Sequence, residues 1–425
     1  MTRLKGATRD TFRSLRHRNF KIYFLSQAVS FTGTWVQLVA QTLLVLKLTD
    51  SGTALGLLTA IQFAPTLVLG AWAGVVIDRH DKRRLMTVTT SVMLLAAVAL
   101  GVLVLTDHAT VNWVYALAFM LGLANTFDNP ARRTLVNDLV PPEDVANAVS
   151  LNSMLITTAR ILGPAIAGIL VTTVGIGWCF VVNGLSFIAP LVGLWLMDAA
   201  TLRTVAPVAR ASGQLRAGLR YAWSSDDLRI PLLVMAMVGT LAFNFQVLLP
   251  LFATRDLGGS DGTYTLLTST FSVGSLLGSV ALARRRVIDT GHVARAALLL
   301  GLSTAVLAVA PTILTACAVL LVVGYAGIGV LSGGNAVLQI ATSAEMRGRV
   351  LALYTVVFLG STPIGGPIAG WVAEAFGTRA GLLMGGVAGV VAGGVALAFL
   401  RTKSAEVDPD ALAPDAAVVQ TVEAA

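Results

Sequence analysis

The stretch Gly74-Val-Val-Ile-Asp-Arg-His-Asp-Lys-Arg-Arg84 joins two long apolar segments, 54–77 and 85–105. Each segment is long enough to cross a bilayer as a helix, since about 20 apolar residues suffice. The joining loop is rich in positive charge, which is typical of short cytoplasmic loops. We therefore interpret the stretch as a tight cytoplasmic turn between two membrane helices. In it, Gly74 permits close helix packing and Asp78 caps a helix or pairs with a cation.

The composition of the whole chain extends this interpretation. Of the 425 residues, 56% are hydrophobic and 12% charged, and the mean hydropathy is +0.79. These values exclude a soluble globular protein of this size. Apolar runs long enough to span a bilayer recur 12 times between Phe20 and Leu400. The sequence thus predicts an all-α membrane protein with 12 transmembrane helices.

The formal net charge of +8 is explained by topology, without a nucleic-acid partner. When alternate loops are assigned to the cytoplasm, 26 of the 30 Lys and Arg residues fall on that side. The other side receives Lys47, Arg255 and Arg379, and Arg160 falls inside a helix. This asymmetry predicts a multi-pass protein of the cell (inner) membrane with both termini in the cytoplasm.

Residues for enzyme chemistry are not evident in the sequence. Cys179 and Cys317 fall in predicted membrane helices, and the four histidines are scattered without the spacing of metal ligands. No lysine follows a glycine, so a phosphate-binding loop of the Gly-Lys-Ser/Thr type is missing. We predict that the protein is not an enzyme and holds no metal or cofactor.

The helices divide into two groups. Residues 1–198 contain a basic leader and six predicted helices, and residues 230–403 contain six more. Between them, 199–229 reads as a cytoplasmic linker in which Gln214–Trp223 has the apolar spacing of an amphipathic helix. The tail 404–425 is rich in Ala, Pro and Asp, and its composition predicts disorder.

The two groups look like copies of one unit. Gly74 near the end of helix 2 corresponds to Gly278 near the end of helix 8, an offset of 204 residues. Gly163-Pro164 in helix 5 corresponds to Gly366-Pro367 in helix 11, an offset of 203. Two unrelated motifs with nearly the same offset favour duplication over chance. Parallel six-helix repeats place a substrate path between the halves.

The opening stretch also resembles the signature loop between helices 2 and 3 of major facilitator superfamily transporters. The resemblance rests on Gly74, Asp78, Arg79 and the basic cluster that follows. This chain has Asp81 where the family usually has a second glycine, so the turn is expected to be built differently. The resemblance implies a conformational switch in which Asp128 joins Asp78 and the loop arginines. The expected members of this charge relay are Gly74, Asp78, Arg79, Lys82, Arg83, Asp128 and Arg132. The alternative for Asp128 is a weak surface pair with Arg132 at a helix end.

Helix 5 contains the motif Gly163, Pro164 and Gly168, which resembles the helix 5 motif of antiporters in the superfamily and favours export. The alternative is a kinked packing helix, because proline removes a backbone hydrogen bond and glycines permit close approach. Arg160 lies nearby, about 20 Å along the helix. An arginine facing lipid at that depth would cost at least about 2.5 kcal/mol. Arg160 is therefore expected to face protein or water, where it binds substrate or holds the charge state of a carboxylate. A purely structural tie to backbone carbonyls is the alternative.

The resemblance further implies that helices 1, 4, 7 and 10 line the substrate cavity. Aromatic and neutral amide side chains on these helices would suit a lipophilic, neutral or weakly charged solute. Ordinary packing between helices is the alternative for each of them. The candidates are Gln27, Trp35, Gln37, Gln41, Phe119, Asn125, Asn244, Gln246, Tyr325, Asn335 and Gln339.

Residues 14–400 as a whole are similar to the branch of the superfamily that contains bacterial multidrug and siderophore exporters of the enterobactin-exporter type. The segments Ser14–Phe20, Phe127–Arg133 and Gly175–Phe180 carry this resemblance. It implies a monomeric exporter of small amphipathic molecules, driven by the proton gradient through antiport and alternating access. An uptake symporter of the same fold is one alternative. A membrane protein that transports nothing, such as a lipid scramblase or a sensor, is the other.

Overall fold

The computed structural model describes residues 12–198 and 214–406. These residues form helices joined by short connections, without a β-strand. The long helices are α1 Arg18–Thr49, α2 Gly52–Arg79, α3 Lys82–Leu105, α4 Val111–Asp138, α5 Val145–Thr173, α6 Ile176–Leu196, α7 Asp226–Asp256, α8 Asp261–Ala283, α9 Thr290–Ala308, α10 Ile313–Ala341, α11 Ala344–Phe376 and α12 Thr378–Glu406.

Eleven helical segments of the described ranges are long and apolar enough to cross a membrane. The remaining long helix, α4, has 28 residues but a polar second half. The apolar run of the sequence ends near Phe127, whereas α4 continues through Pro130 to Asp138. The extension is stabilised by an ion pair one turn apart between Asp128 and Arg132. The twelve predicted spans therefore correspond to twelve long helices, with α4 longer than its apolar run.

Two of the spanning segments are interrupted. In α6, Phe187 separates Ile176–Ser186 from Ile188–Leu196. In α7, the first segment ends at Leu241, and the chain resumes a helical path at Phe245. The last turn of α7, Phe252–Asp256, is a π-helix that follows a proline. These breaks were not expected from the apolar runs, which continue across them.

The helices pack in two groups that meet along two seams. In the first group, α4 packs on α2 and α3, and α1 packs on α5 and α6. In the second, α10 packs on α8 and α9, and α12 packs on α9 and α7. The groups meet where α2 packs on α11 and where α5 packs on α8. The duplication inferred from the sequence is consistent with this arrangement, because α5 and α11 are equivalent helices, as are α2 and α8.

Glycines set the closest helix approaches. A Cβ atom at Gly122 of α4 would collide with the backbone carbonyl of Gln62 in α2. Gly278 of α8 lies against the backbone of Tyr325 in α10, where a Cβ atom would be 2.6 Å from the carbonyl oxygen. Without strong apolar driving forces inside lipid, such close backbone contacts are a main source of helix association.

The segment between the two groups lies partly outside the described residues, since residues 199–213 are not among them. The predicted amphipathic helix is present as the short helix Gln214–Trp223. Its Gly218 packs against Arg349 of α11. Hydrogen bonds with the side chain and the backbone N–H of Ser343 lower the pKa of Tyr221 by stabilising the phenolate. Residues 407–425 of the predicted disordered tail also lie outside the described ranges, and α12 continues to Glu406.

The packing of α4 on α2 gives a test of the fold. We expect Gly122→Ala to lower the thermal unfolding midpoint of the purified protein, because overpacking costs about 1 to 3 kcal/mol. Gly394→Ala in α12 is the matched control, since nothing lies within 4 Å of the added Cβ atom. The control should be neutral or slightly stabilising, because alanine is a better helix former than glycine. Equal midpoints for the two variants would contradict this packing.

Candidate functional site

A buried polar cluster lies in the first group of helices. The Asp128 carboxylate accepts hydrogen bonds from the Thr89 hydroxyl of α3, at 2.9 Å, and from the Arg132 guanidinium. Arg132 also donates to the side-chain carbonyl of Gln27 in α1, and it lies over the Phe31 ring at 5.2 Å. The pair is 1% and 7% exposed, so the interpretation as a weak surface pair is wrong. Removing one member of such a buried pair is costly, because the other charge is left uncompensated.

The described contacts of the loop between α2 and α3 do not include Asp128, with which the loop arginines were expected to form a relay. Lys82 forms an ion pair with Asp138 at the end of α4, with 2.6 Å between Nζ and Oδ2. Arg83 donates to the carbonyl of Trp195 at the end of α6, at 3.0 Å. Asp81 is the N-cap of α3, because its carboxylate accepts a hydrogen bond from the Arg84 N–H at 2.9 Å. A capping carboxylate thus stands where the superfamily usually has its second glycine.

The structure says less about the other expected members of the relay, Gly74, Arg79 and Asp78. Gly74 is half-buried within α2, and Arg79 is exposed. The side chain of Asp78 lies outside the described residues, although its backbone belongs to α2. The structure therefore joins Asp128 to Arg132 and Lys82 to Asp138 as two separate pairs. A relay through Asp78 stays a prediction.

Arg160 lies near the middle of α5, where three helices meet. Its guanidinium carbon is 5.4 Å from the centroid of the Trp35 ring in α1. Its backbone carbonyl accepts a hydrogen bond of 3.3 Å from the Ser272 hydroxyl in α8. In the described part of the chain, no carboxylate forms an ion pair with Arg160. A cation at this depth that faces an aromatic ring is open to an anionic ligand.

The two Gly-Pro motifs lie on the two seams between the groups. In α5, Gly163 packs on Trp35 of α1, and a Cβ atom at Gly168 would be 2.5 Å from the Thr265 hydroxyl of α8. In α11, Gly366 packs on Thr59 of α2. Gly370 of α11 lies against the backbone at the start of α2. Pro164 is buried within α5. The motif thus combines a bend with close packing across the interface.

At the end of the molecule opposite the α2–α3 loop, polar contacts tie the two groups together. We call this the far end, and the end with the α2–α3 loop the basic end. The N–H of Gly52 donates to the Glu374 carboxylate at 2.7 Å. Arg255 of α7 donates to the carbonyl of Asp50, and its Nη1 is 3.5 Å from Glu374. Asp50 adopts a left-handed backbone conformation with φ 44°, which ends α1.

A second ion pair closes the far end. The Lys47 ammonium of α1 is 2.6 Å from the Asp261 carboxylate of α8. The sequence placed Lys47 and Arg255 on this side of the membrane but did not predict their partners. Both of these basic residues contact an acidic residue of the other half, Asp261 and Asp50.

Contacts between the groups are asymmetric along the membrane normal. The described ion pairs and hydrogen bonds that join α1–α6 to α7–α12 involve residues of the far end or the middle of the helices. At the basic end, the described polar contacts join residues of the same group, as in the pairs Lys82–Asp138 and Arg13–Asp144. Among the described residues, the polar contacts between the two groups therefore lie at the far end and in the middle of the helices.

Several predicted cavity residues instead pack one helix on another. Gln37 accepts a 2.5 Å hydrogen bond from Asn183 of α6, and Asn244 donates to the Thr240 carbonyl beside Gly365 of α11. Tyr325 lines a different cavity, between α8, α9 and α10. A role of these three side chains in the substrate cavity stays a prediction. Asn125 donates a hydrogen bond to the Leu121 carbonyl of its own helix, and Gln339 donates one to the Asn335 side chain within α10.

Of the remaining candidates, Gln27 and Trp35 contact the arginines described above. Gln41 is buried, and its side-chain nitrogen finds no hydrogen-bond partner in the described ranges. Phe119 is exposed on α4, and Gln246 is half-buried in α7. The arrangement brings together charge, amide and aromatic groups around α1, α4 and α5.

Comparison with known proteins identifies the family. A family model described as transmembrane secretion effector matches residues 9–424, which is nearly the whole chain. The chain belongs to this family of the major facilitator superfamily. It is a multi-pass membrane transporter of the efflux branch and not an enzyme, as the sequence predicted.

Two relatives and one solved structure illustrate the likeness. The chain is 24% identical to the staphyloferrin A transporter of Staphylococcus aureus over 266 residues, which cover 62% of this chain and 66% of the relative. It is 26% identical to the multidrug efflux pump Tap of Mycolicibacterium fortuitum over 368 residues, which cover 83% of this chain and 88% of the relative. A crystal structure of the peptide transporter POT superposes with a TM-score of 0.74 at 13% sequence identity. The match covers 90% of this chain and 94% of that transporter. The last match shows the fold alone.

The buried pair gives a second test. We expect Asp128→Asn and Arg132→Gln each to lower the free energy of unfolding by about 3 kcal/mol, because each leaves one charged or polar partner buried and unmatched. The double variant should be less destabilised than the sum of the two single variants. Thermal unfolding of the purified proteins completes this double-mutant cycle. Additive effects would contradict a direct interaction.

Proposed function

We propose that the protein exports small amphipathic molecules by alternating access, driven by the proton gradient. Its structure corresponds to the state that is open at the basic end, which we assign to the cytoplasm. The observation that supports this most directly is the asymmetry between the ends. Contacts through Lys47, Arg255 and Gly52 join the halves at the far end, while the basic end has no described polar contact between them.

We infer that Arg160 and Trp35 form part of the substrate site. The guanidinium has no carboxylate partner in the described chain and lies in the middle of the span, where an unmatched charge is costly. A carboxylate or another electronegative group on the substrate would remove this cost. The site therefore favours molecules with an acidic group, a narrower class than the neutral or weakly charged solutes expected from the sequence.

Aromatic side chains of the second half would accommodate the apolar part of such a molecule. The Phe271 ring lies 5.1 Å from Phe245, which is 6.0 Å from Phe243, between ring centroids. Phe243 in turn lies 6.3 Å from Phe358 of α11. The row begins beside Ser272, the residue that contacts Arg160 across the seam. An acidic group at Arg160 and a ring against this row would bridge the two halves.

We assign the control of the basic end to the buried pair and the loop. Opening of the far end requires the basic end to close, which brings the α2–α3 loop towards the second half. Asp128 is the most buried carboxylate of α4, and its protonation would remove the charge that Arg132 contacts. This makes Asp128 our candidate for coupling to protons, with Asp78 and the loop arginines as the lock.

Efflux from cells that express the protein tests the function. We expect loss of a fluorescent carboxylate dye from these cells, faster than loss of its neutral methyl ester, and a protonophore should stop both. Arg160→Gln should slow efflux of the carboxylate dye at least about tenfold, because a lost charge-assisted contact is worth about 1.5 to 3 kcal/mol.

Arg286→Gln is the control for this experiment, since Arg286 is exposed and distant in sequence from the site. It should leave efflux unchanged. Accumulation of the dye under the same gradient would favour the uptake symporter. If the expressed protein moved neither dye in either direction, a protein that transports nothing would be the better interpretation.

Cross-linking the far end tests alternating access. In a Cys179→Ser/Cys317→Ser background, Lys47→Cys with Asp261→Cys would join α1 to α8 through a short bifunctional thiol reagent. We expect transport to stop and to return when a cleavable linker is reduced, because the far end can no longer open. The control pair is Asp256→Cys with Arg379→Cys, which are neighbours within the second half. Cross-linking of the control pair should leave transport intact, and transport through the joined α1–α8 pair would refute the mechanism.

A further inference from the structure

A separate cavity of about 220 Å³ lies between α8, α9 and α10. Its polar lining consists of Arg285, His292, Arg295 and Tyr325, and its apolar lining includes Leu282 and Leu299. Arg285 follows the end of α8, and His292 lies in the first turn of α9, so the cavity opens at the basic end. It shares α8 with the junction that holds Arg160, but Arg160, Trp35 and Ser272 are not among its lining residues.

The cavity has more positive charge than its own residues neutralise. Arg285 has no ion-pair partner in the described ranges, and Arg295 has a single contact of 3.4 Å with Asp289. The His292 Nε2 atom is buried and has no hydrogen-bond partner there. Such buried polar atoms are rare unless a ligand or water binds them.

A second hollow continues from the first. It lies between α9 and α12 and is lined by Gly291, Arg295, Leu397, Leu400 and Arg401. Arg295 lines both hollows, so Arg285, Arg295 and Arg401 face adjoining spaces. Asp289 contacts Arg295, and the residues that line the two hollows keep a net positive charge.

Polar and apolar groups of the cavity are arranged in layers. Arg285 lies just past the end of α8, Arg295 lies in the second turn of α9, and Leu299 lies one turn further along α9, away from the basic end. Leu299 is 39% exposed, as expected of a side chain that faces lipid tails. Basic pockets between membrane helices bind anionic headgroups, and each arginine or lysine near an anionic surface contributes about 1 kcal/mol.

We propose that this cavity binds the headgroup phosphate of an anionic phospholipid from the leaflet at the basic end. Arg285 and Arg295 hold the phosphate oxygens, and the His292 Nε2 atom completes the hydrogen bonding. The acyl chains follow the apolar wall formed by Leu282 and Leu299. Arg401 extends the site to a second phosphate, which suits a lipid with two of them.

Thermal unfolding of the full-length protein in a neutral detergent tests the site. Phosphatidylglycerol, added stepwise, should raise the unfolding midpoint of the wild type, and phosphatidylcholine or inorganic phosphate should not. In the pair Arg285→Gln/Arg295→Gln, we expect at least tenfold more phosphatidylglycerol to be needed for half of the shift. The control pair Arg84→Gln/Arg347→Gln removes the same charge from exposed residues of the basic end and should bind as the wild type does.

A single variant separates the buried nitrogen from the general charge. His292→Leu should weaken phosphatidylglycerol binding without lowering the midpoint in lipid-free detergent, because it removes an unmatched buried polar atom. Equal weakening in both arginine pairs would show diffuse attraction instead of a site. Stabilisation by phosphatidylcholine would show an apolar crevice only, and stabilisation by inorganic phosphate would show a site for free anions. Each of these three results would overturn the proposal.

Discussion

A guanidinium group buried among packed helices must be matched by an anion, an aromatic face or water. The chain meets this constraint in two different ways. Arg132 is enclosed by Asp128, Gln27 and Phe31, so its charge is satisfied within the first half. Arg160 contacts Trp35 and has no acidic partner in the described residues. The first arrangement stabilises the helices that surround it, and the second leaves a place for a ligand. The same residue type thus marks a structural element and a candidate binding element.

The repeated architecture explains where the halves can move. Both seams, α5 on α8 and α2 on α11, include a helix with a Gly-Pro motif. Gly370 lies against the backbone of α2, and Gly168 lies against the Thr265 side chain of α8. Small contact residues let two helices rock against each other without large side chains having to interdigitate. The described polar contacts between the halves lie at the far end or in the middle of these seams, which is the distribution that the proposed alternating access requires.

The fold could be predicted from the sequence because hydropathy and the offsets of about 203 residues both report on whole helices. The rotation of each helix about its axis could not be predicted, because hydropathy does not report which face of a helix meets which neighbour. Gln37 and Tyr325 lie on the expected helices, yet the first packs on α6 and the second lines a peripheral cavity. The end of α4 was misjudged because Pro130 and charged residues normally end an apolar span, whereas the buried pair extends the helix. Pairing at the far end escaped notice because its members are up to 322 residues apart.

The contact between Arg255 and Asp50 has a consequence for comparison among relatives. The arginine binds the backbone carbonyl of Asp50, and any residue able to adopt the left-handed turn would supply the same oxygen. Glycine and asparagine adopt that conformation as readily as aspartate does. The Asp50 carboxylate lies 3.6 Å from Arg255 but is mostly exposed, so position 50 can vary through evolution while the carbonyl contact persists. Methods that infer contacts from correlated substitutions will not detect this fastening, although a change of Arg255 itself would break it.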